Sequence, residues 1–364
     1  MHKKRVLQVI AGMDVGGAET FLMNIFKNID KSKYEFYLLC YGNKKYDYED
    51  DVKKVGGTII RIDKPSERGY INHIKQIKKV IKDNKIDIVH IHTLFNSCFA
   101  VIAARMCKVK KIIVHSHNTM NKKESNIKDK IYYILSKFII NIGATDFLAC
   151  GEEAGKFLFY KFNKFTVVNN GIEIDRFLYN KNLGNNLRKE YNIPENEKVV
   201  MHVGRFFEPK NHDFLIDIFQ EVYKLDQNTK LMLIGKGDLE EQIKDKVKKL
   251  GLEEKVMFLG LKKNVNEIYN MADVFVFPSL YEGAPVVLYE TQTNSLPAVI
   301  SNNIDSSIQV NEYIRFKDLN DGAKSWAKEI IKLSRDSIKS NTNIYETKLN
   351  VKKSVDTIEK IYLK

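Results

Sequence analysis

The sequence predicts an α/β protein of two Rossmann-like domains, each a doubly wound parallel sheet. Three observations point there. Short β-branched runs alternate with amphipathic helical stretches along the whole chain, glycine turns follow several of the runs, and 364 residues suffice for two cores of ordinary size. In the first half, strand patterns fall at 5–10, 35–41, 58–62, 87–91, 111–115, 147–150 and 166–168, with helical patterns between them, as at 70–85 and 127–140. In the second half, strands fall at 198–202, 230–234, 256–259, 273–277 and 298–300, and helices at 213–224, 239–250, 265–271 and 286–293. Repeated βα units imply right-handed crossovers and therefore parallel sheets. The stretch 171–197 breaks the alternation, carries Pro194 and reads as an interdomain linker. The expected division is 1–170 and 171–344, followed by a charged helical tail. Ligands of open α/β sheets bind beyond the strand carboxyl ends. Two such sheets facing each other would frame a cleft, and the residues just after strands become the candidates.

Composition narrows the class. No apolar run approaches the roughly 20 residues that span a bilayer. The apolar run Val6–Gly12 is short and meets Asp14, so it reads as a first strand and not a signal peptide. Cys40, Cys98, Cys107 and Cys150 form no CxxC and read as reduced thiols of a cytoplasmic protein. Residues 1–170 hold 30 Lys+Arg against 17 Asp+Glu, whereas 171–364 hold 29 of each, so the whole net charge of +13 lies in the first half. A basic half suits anionic partners, and a Lys-rich solvated surface is the plain alternative. No aromatic-basic motif supports nucleic acid as a partner.

Four loops carry candidate chemistry. After the first strand, Gly12 to Glu19 includes Gly16 and Gly17 just before a helix, where free N–H groups face anionic oxygen; it is not GxGxxG, which argues against a nicotinamide enzyme. After the strand at 198–202 come Gly204, Arg205 and Lys210. A planar fork and a point charge together suit a diphosphate. The competing reading pairs Arg205 with a carboxylate and leaves Lys210 solvated. Gly235 and Gly237 form a third strand–turn–helix, open to a base or a phosphate. In the fourth, Glu282 lies after a buried strand, Pro285 fits a first helical turn and Glu290 follows within that helix. Ionised carboxylates accept hydrogen bonds from hydroxyl-rich ligands, although a dipole-stabilised Glu and a surface Glu explain the pair equally well. His90 and His92 end one strand, and His115 and His117 end the next. A metal site is the minor reading, because no carboxylate or Cys motif joins them. His117, farthest out and followed by Asn118 and Thr119, is the best cleft candidate.

Taken together, the Gly16-Gly17-Ala18-Glu19 loop, Asn169-Asn170-Gly171-Ile172-Glu173 with Arg176-Phe177, the Arg205/Lys210 segment and Glu282-x7-Glu290 resemble the family-4 retaining glycosyltransferases of the GT-B fold. The branch with Met13 to Thr20 and His115-Ser116-His117-Asn118 looks like enzymes of capsule and exopolysaccharide assembly. The resemblance implies that Arg205 and Lys210 hold the donor diphosphate, Glu282 the transferred sugar and Glu290 the ribose. Gly283, Ala284 and Pro285 would complete the donor loop, while Gly235 to Asp238 and Phe258 to Leu261 would line the base pocket. His117 matches a cleft histidine near the reacting sugar, so His117, Arg205, Lys210 and Glu282 are the catalytic candidates. It also implies that the tail over 345–364 packs back on the first domain. The expected donor is a nucleoside diphosphate sugar, UDP-linked, and the acceptor a saccharide or polyprenyl-linked saccharide, with no cofactor and no metal. No DxD metal motif is present. Ala284, where a larger apolar residue is common, and Asn302 to Ser306, which lacks the usual glycine and glutamate, depart from the family pattern and bear on sugar specificity. Alternatives are a non-catalytic GT-B partner subunit and a sugar-nucleotide epimerase of the same fold; the first would be expected to have lost Arg205, Lys210 or a signature glutamate, and all four are kept.

Lysines cluster at Lys75, Lys78, Lys79, Lys82 and Lys85 beside an apolar face of Ile71, Ile74, Ile77 and Ile81; at Lys108, Lys110 and Lys111; and at Lys122, Lys123, Lys128 and Lys130 before Tyr132, Tyr133, Ile134 and Phe138. This pattern suits peripheral attachment to the anionic inner face of the plasma membrane. The alternative has both helices bury their apolar faces on the first sheet.

Overall fold

Two separate parallel sheets organise the chain in the computed structural model, which describes residues 3–118, 127–335 and 343–364. Thr119, Lys122 and Lys123 lie outside the described residues.

The first unit comprises residues 1–172 and 350–364. Its elements alternate as β1 (Lys4–Val9), α1 (Gly17–Asn28), β2 (Tyr34–Tyr41), α2 (Glu49–Lys54), β3 (Thr58–Ile62), α3 (Pro65–Arg68), α4 (Tyr70–Asp83), β4 (Ile88–Ile91), α5 (Ser97–Met106), β5 (Lys111–Ser116), α6 (Ile127–Gly143), β6 (Asp146–Ala149), α7 (Glu152–Leu158) and β7 (Thr166–Val167). The sheet order is β3-β2-β1-β4-β5-β6-β7, so the winding reverses between β1 and β4. The central strands β4 and β5 are buried on both faces, which is why they read as near-continuous apolar runs. The C-terminal helix (Val351–Leu363) belongs to this unit: Val351, Val355, Ile358, Ile361 and Tyr362 join a core with Phe21, Ile25 and Phe26 of α1. Each such side chain, fully buried, contributes about 1.5–3 kcal/mol. Lys4 Nζ donates to the Tyr362 carbonyl at 2.7 Å, tying the helix to β1.

The second unit comprises residues 173–349. It runs α8 (Ile174–Phe177), α9 (Lys181–Glu190), β8 (Lys198–Val203), α10 (His212–Leu225), β9 (Thr229–Ile234), α11 (Glu240–Lys249), β10 (Val256–Phe258), α12 (Val265–Ile268), β11 (Val274–Phe277), α13 (Val286–Thr293), β12 (Ala298–Ser301), β13 (Ile314–Lys317) and α14 (Ala323–Lys332). The order β10-β9-β8-β11-β12-β13 reverses between β8 and β11. Phe214 and Trp326 pack edge to face between α10 and α14, and the indole N–H of Trp326 donates to Asp318 O at 2.8 Å.

Two expectations are corrected, and one strand was missed. The stretch 171–197 is not a linker. It holds α8 and α9, which are built into the second unit: Asn180 N donates to Asn270 Oδ1 at 2.7 Å, Arg188 pairs with Asp273 at 2.6 Å, and a Cβ on Gly184 would meet the Asn270 carbonyl at 2.3 Å. β13 carries no strand signal beyond Ile314 and Phe316, and it was not expected. On α4 only Ile77 and Ile81 of the proposed apolar face are buried, with Ile74 partly covered and Ile71 73% exposed.

Candidate functional site

In the second unit the charged candidates leave the two strands that flank the reversal point of the sheet. The loop after β8 ends at Asn211, whose left-handed conformation (φ 54°) turns the chain into α10. Asn211 Nδ2 donates to Pro278 O at 3.1 Å and Leu280 N donates to Pro209 O at 2.8 Å, so this loop is stitched to the one after β11. Across the stitch Lys210 Nζ donates to Glu282 Oε1 at 2.5 Å and lies 4.6 Å from the Phe277 ring centre. The reading that left Lys210 solvated and Arg205 paired is reversed: Lys210 is the paired cation. Arg205 is exposed, its guanidinium 5.2 Å from the Phe207 ring centre, with no ion-pair partner among the described residues.

The Gly235–Gly237 turn packs against the backbone of that same loop. Gly204 N donates to Ile234 O at 2.9 Å, Phe206 N to Lys236 O at 3.1 Å and Leu239 N to Phe206 O at 3.0 Å. Gly235 has φ 143°, and a Cβ on it would meet Gly204 O at 2.0 Å; on Gly237 it would meet Phe206 O at 2.5 Å. These glycines are therefore explained by backbone against backbone, a reading the sequence did not offer. Leu261, beyond β10, is 47% exposed.

Pro285 sits just before α13 as its N-cap and not within its first turn. Gly283 and Ala284 occupy the half-buried loop between Glu282 and that cap. Glu290 lies within α13, and its Oε2 accepts a hydrogen bond from the buried Tyr269 hydroxyl at 2.9 Å. Burial pushes the Glu290 carboxyl up to about 7, against the opposing pull of the Tyr269 hydrogen bond and the Arg176 charge. Tyr269 was missed in the sequence because an aromatic residue at a helix end reads as core.

The first unit brings its four strand-end histidines together. His90 and His115 stack with ring centres 5.5 Å apart, His115 and His117 with centres 4.1 Å apart, and Phe21 lies edge-on to His115. Burial holds His90 and His117 down at about 3, and His92 and His115 well below the ordinary imidazole range, so all four are neutral. A hydrogen-bond chain sets the tautomers of His90, His92 and His117, whereas both nitrogens of His115 are buried without a partner among the described residues. Gln8 Nε2 donates to the Tyr362 hydroxyl at 2.8 Å, which leaves that hydroxyl to donate to His90 Nδ1, also at 2.8 Å. Gln8 Oε1 accepts from His92 Nε2 at 2.8 Å, so His92 Nδ1 is the acceptor 2.9 Å from His117 Nε2, which carries the proton. His117 is half-buried, but its Nδ1 is itself shielded from solvent and has no hydrogen-bond partner among the described residues. Ligand-capable atoms of His90, His92 and His115 lie within 4.8 Å of one another. Both nitrogens of His92 are hydrogen-bonded, whereas His90 Nε2 and both nitrogens of His115 are buried without a partner among the described residues. Gln8 and Tyr362 escaped the sequence reading because they meet across 354 residues.

After β1, Gly16 is extended and Gly17 opens α1. A Cβ on Gly17 would meet no atom of the described residues within 4 Å, so their packing does not account for that glycine.

Known proteins match this chain over both units. Residues 185–350 match the model for glycosyl transferases group 1, and residues 15–176 that for Glycosyltransferase Family 4. Over 311 residues the chain is 35% identical to EpsF of Bacillus subtilis, named as a glycosyltransferase, covering 84% of this chain and 81% of that one. It is 29% identical to the capsular polysaccharide biosynthesis glycosyltransferase CapH of Staphylococcus aureus, covering 90% of each chain. It is 26% identical to the UDP-Gal:alpha-D-GlcNAc-diphosphoundecaprenol alpha-1,3-galactosyltransferase of Escherichia coli, covering 96% of this chain and 94% of that one. Among solved structures, Anabaena HepE in complex with UDP-glucose superposes with a TM-score of 0.79 at 16% identity over 99% of each chain.

Proposed function

The chain belongs to the family-4 glycosyltransferases, with the GT-B fold and relatives in capsule polysaccharide biosynthesis, and from this we propose that it moves a sugar with retention from a UDP-sugar to a lipid-linked saccharide. The observation that carries the reading is the Lys210–Glu282 pair, locked between the loops that flank the β8/β11 reversal and lying in the same region as Arg205. Lys210 and Arg205 are proposed to hold the diphosphate. As the bond from the sugar to the diphosphate breaks, negative charge grows on the leaving phosphate, and fixed cations lower that barrier without a metal. Glu282, positioned by Lys210, accepts hydrogen bonds from the transferred sugar, and Glu290 from the ribose. The acceptor oxygen forms the new bond on the face the diphosphate leaves, and its proton passes to the leaving phosphate oxygen. The turn at Gly235–Gly237 and Leu261 border the base. The open approach to Gly17 at the start of α1 suits an anionic or hydroxyl oxygen of a bound sugar or acceptor, and His117, whose Nδ1 is shielded and unpartnered, is proposed to accept from a hydroxyl of that ligand.

UDP-sugar and lipid-linked acceptor are proposed here because HepE was crystallised with UDP-glucose and the Escherichia coli relative is named for UDP-Gal and a diphosphoundecaprenol-linked acceptor. No helix among the described residues is long and apolar enough to cross a membrane. The test is a panel of nucleotide sugars, assayed for hydrolysis and for transfer to a diphospholipid-linked sugar, with and without EDTA. Turnover of a UDP-sugar that survives EDTA is the expected result. A chain that turns over none of them fits a non-catalytic subunit instead.

A further inference from the structure

α6 is amphipathic the wrong way round for a helix that only covers a sheet. The side chains it buries are Ser136, Ile140 and Asn141, together with Gly143, where a Cβ would meet Val101 Cγ1 at 2.3 Å. The side chains it exposes are large and apolar: Ile127, Ile131, Ile134, Leu135, Phe138 and Ile142 are each at least 50% exposed. Their spacing of 4, 3, 1, 3 and 4 places them on one helical face, a stripe about 22 Å long at 1.5 Å per residue. The stripe continues onto the start of α4, where Tyr70 (56% exposed) stacks with Tyr132 of α6 and Ile71 is 73% exposed. Contiguous apolar surface of this extent marks a docking site.

Charge identifies the occupant. Lys128 and Lys130 are exposed at one end of the stripe. At the other end Arg105 Nε donates to Gly143 O at 2.7 Å, beside the exposed Met106, and Lys108 and Lys110 follow in the next loop. Asp129 is the one acidic residue within α6, and the whole excess of thirteen positive charges lies in residues 1–170. A second copy of this chain would set these cations against one another, whereas anionic lipid headgroups neutralise them while the acyl region takes the apolar side chains. We infer that the exposed face of α6, extended by Tyr70 and Ile71, is the surface with which the first unit lies on an anionic bilayer. The inference deepens the lipid-linked-acceptor reading and rests on it.

The test is co-sedimentation of the full chain with vesicles of phosphatidylglycerol in phosphatidylcholine, against vesicles of phosphatidylcholine alone. Binding is expected with the anionic vesicles, falling as salt rises. The exposed triple substitution Ile134→Ser, Leu135→Ser, Phe138→Ser should lower the partition coefficient by more than about tenfold, and Lys128→Gln with Lys130→Gln should remove much of the salt dependence. Sugar-nucleotide hydrolysis and thermal unfolding of these variants should match the parent, which separates loss of docking from loss of activity or fold. Failure of the parent to sediment with anionic vesicles, or undiminished binding by the triple variant, overturns the inference. So does a dimer in light scattering that the triple variant converts to monomer, since the stripe is then a protein interface.

Discussion

His92 Nδ1 lies 2.9 Å from His117 Nε2, and this contact ends a chain of hydrogen bonds that starts at Tyr362 in the C-terminal helix. A residue near the end of the sequence thereby sets the proton position on a histidine at the end of β5.

The first prediction concerns that proton. Long-range proton–nitrogen NMR should find His117 and His92 both as Nε2–H tautomers at neutral pH, with His117 Nδ1 bare. Gln8→Leu removes the acceptor for His92 Nε2–H, at a cost of about 1–3 kcal/mol for the stranded donor. The variant should lower kcat more than it raises the donor KM. Nδ1–H at His117 would mean that the Gln8 amide is turned over and the relay runs the other way.

A second prediction follows from burial of neutral imidazoles. His90, His117 and His202 are held at about 3 and His212 at about 2, against 6.5 in an unfolded chain. Below pH 6.5 the unfolded chain binds protons that the native state refuses, so stability is full above that value and falls as pH drops toward 3. Each such group contributes a slope of up to about 1.4 kcal/mol per pH unit. Melting temperature should therefore decline from about pH 6 downward, before the carboxylates titrate. A flat profile between pH 7 and pH 5 would contradict the burial of this set.

Third, the Glu290 carboxyl at about 7 makes the proposed donor binding pH-dependent. If its carboxylate accepts the ribose hydroxyls, UDP affinity should weaken as pH falls through 7, and Glu290→Gln should flatten the dependence. Tyr269→Phe removes a hydrogen bond that favours the ionised form, so it should shift the profile to higher pH. Calorimetric titration of UDP across this range reads both effects.

Fourth, Lys210→Ala and Glu282→Ala should each cost about 2.7–4 kcal/mol of barrier, the loss typical of one preorganised charged or hydrogen-bonding partner. Because the two side chains are paired, the double variant should lose less than the sum of the singles. Circular dichroism should show both folded. Activity within a few-fold of the parent would remove them from the donor site.

The strands that flank both reversal points, and the loops after them, were legible because apolar runs and glycine turns are local signals. α13 was placed to the residue. What stayed hidden depends on distant partners: that Lys210 pairs with Glu282 across 72 residues, that Gly235 and Gly237 face a backbone, and that Tyr269 holds Glu290. The stretch 171–197 misled because Asn, Gly and Pro194 punctuate short helices as readily as a linker. The apolar residues of α6 were visible, but periodicity alone does not say which side of a helix meets the sheet.

The C-terminal helix has a consequence for the order in which the molecule is made. Residues 173–349 form one uninterrupted unit, whereas the core of the first unit is completed only by Val351 to Tyr362. Phe21, Ile25 and Phe26 lack their cover until residues 351–362, which follow the whole second unit in sequence, have been translated. The first unit therefore cannot complete its core until the whole of the second has been translated.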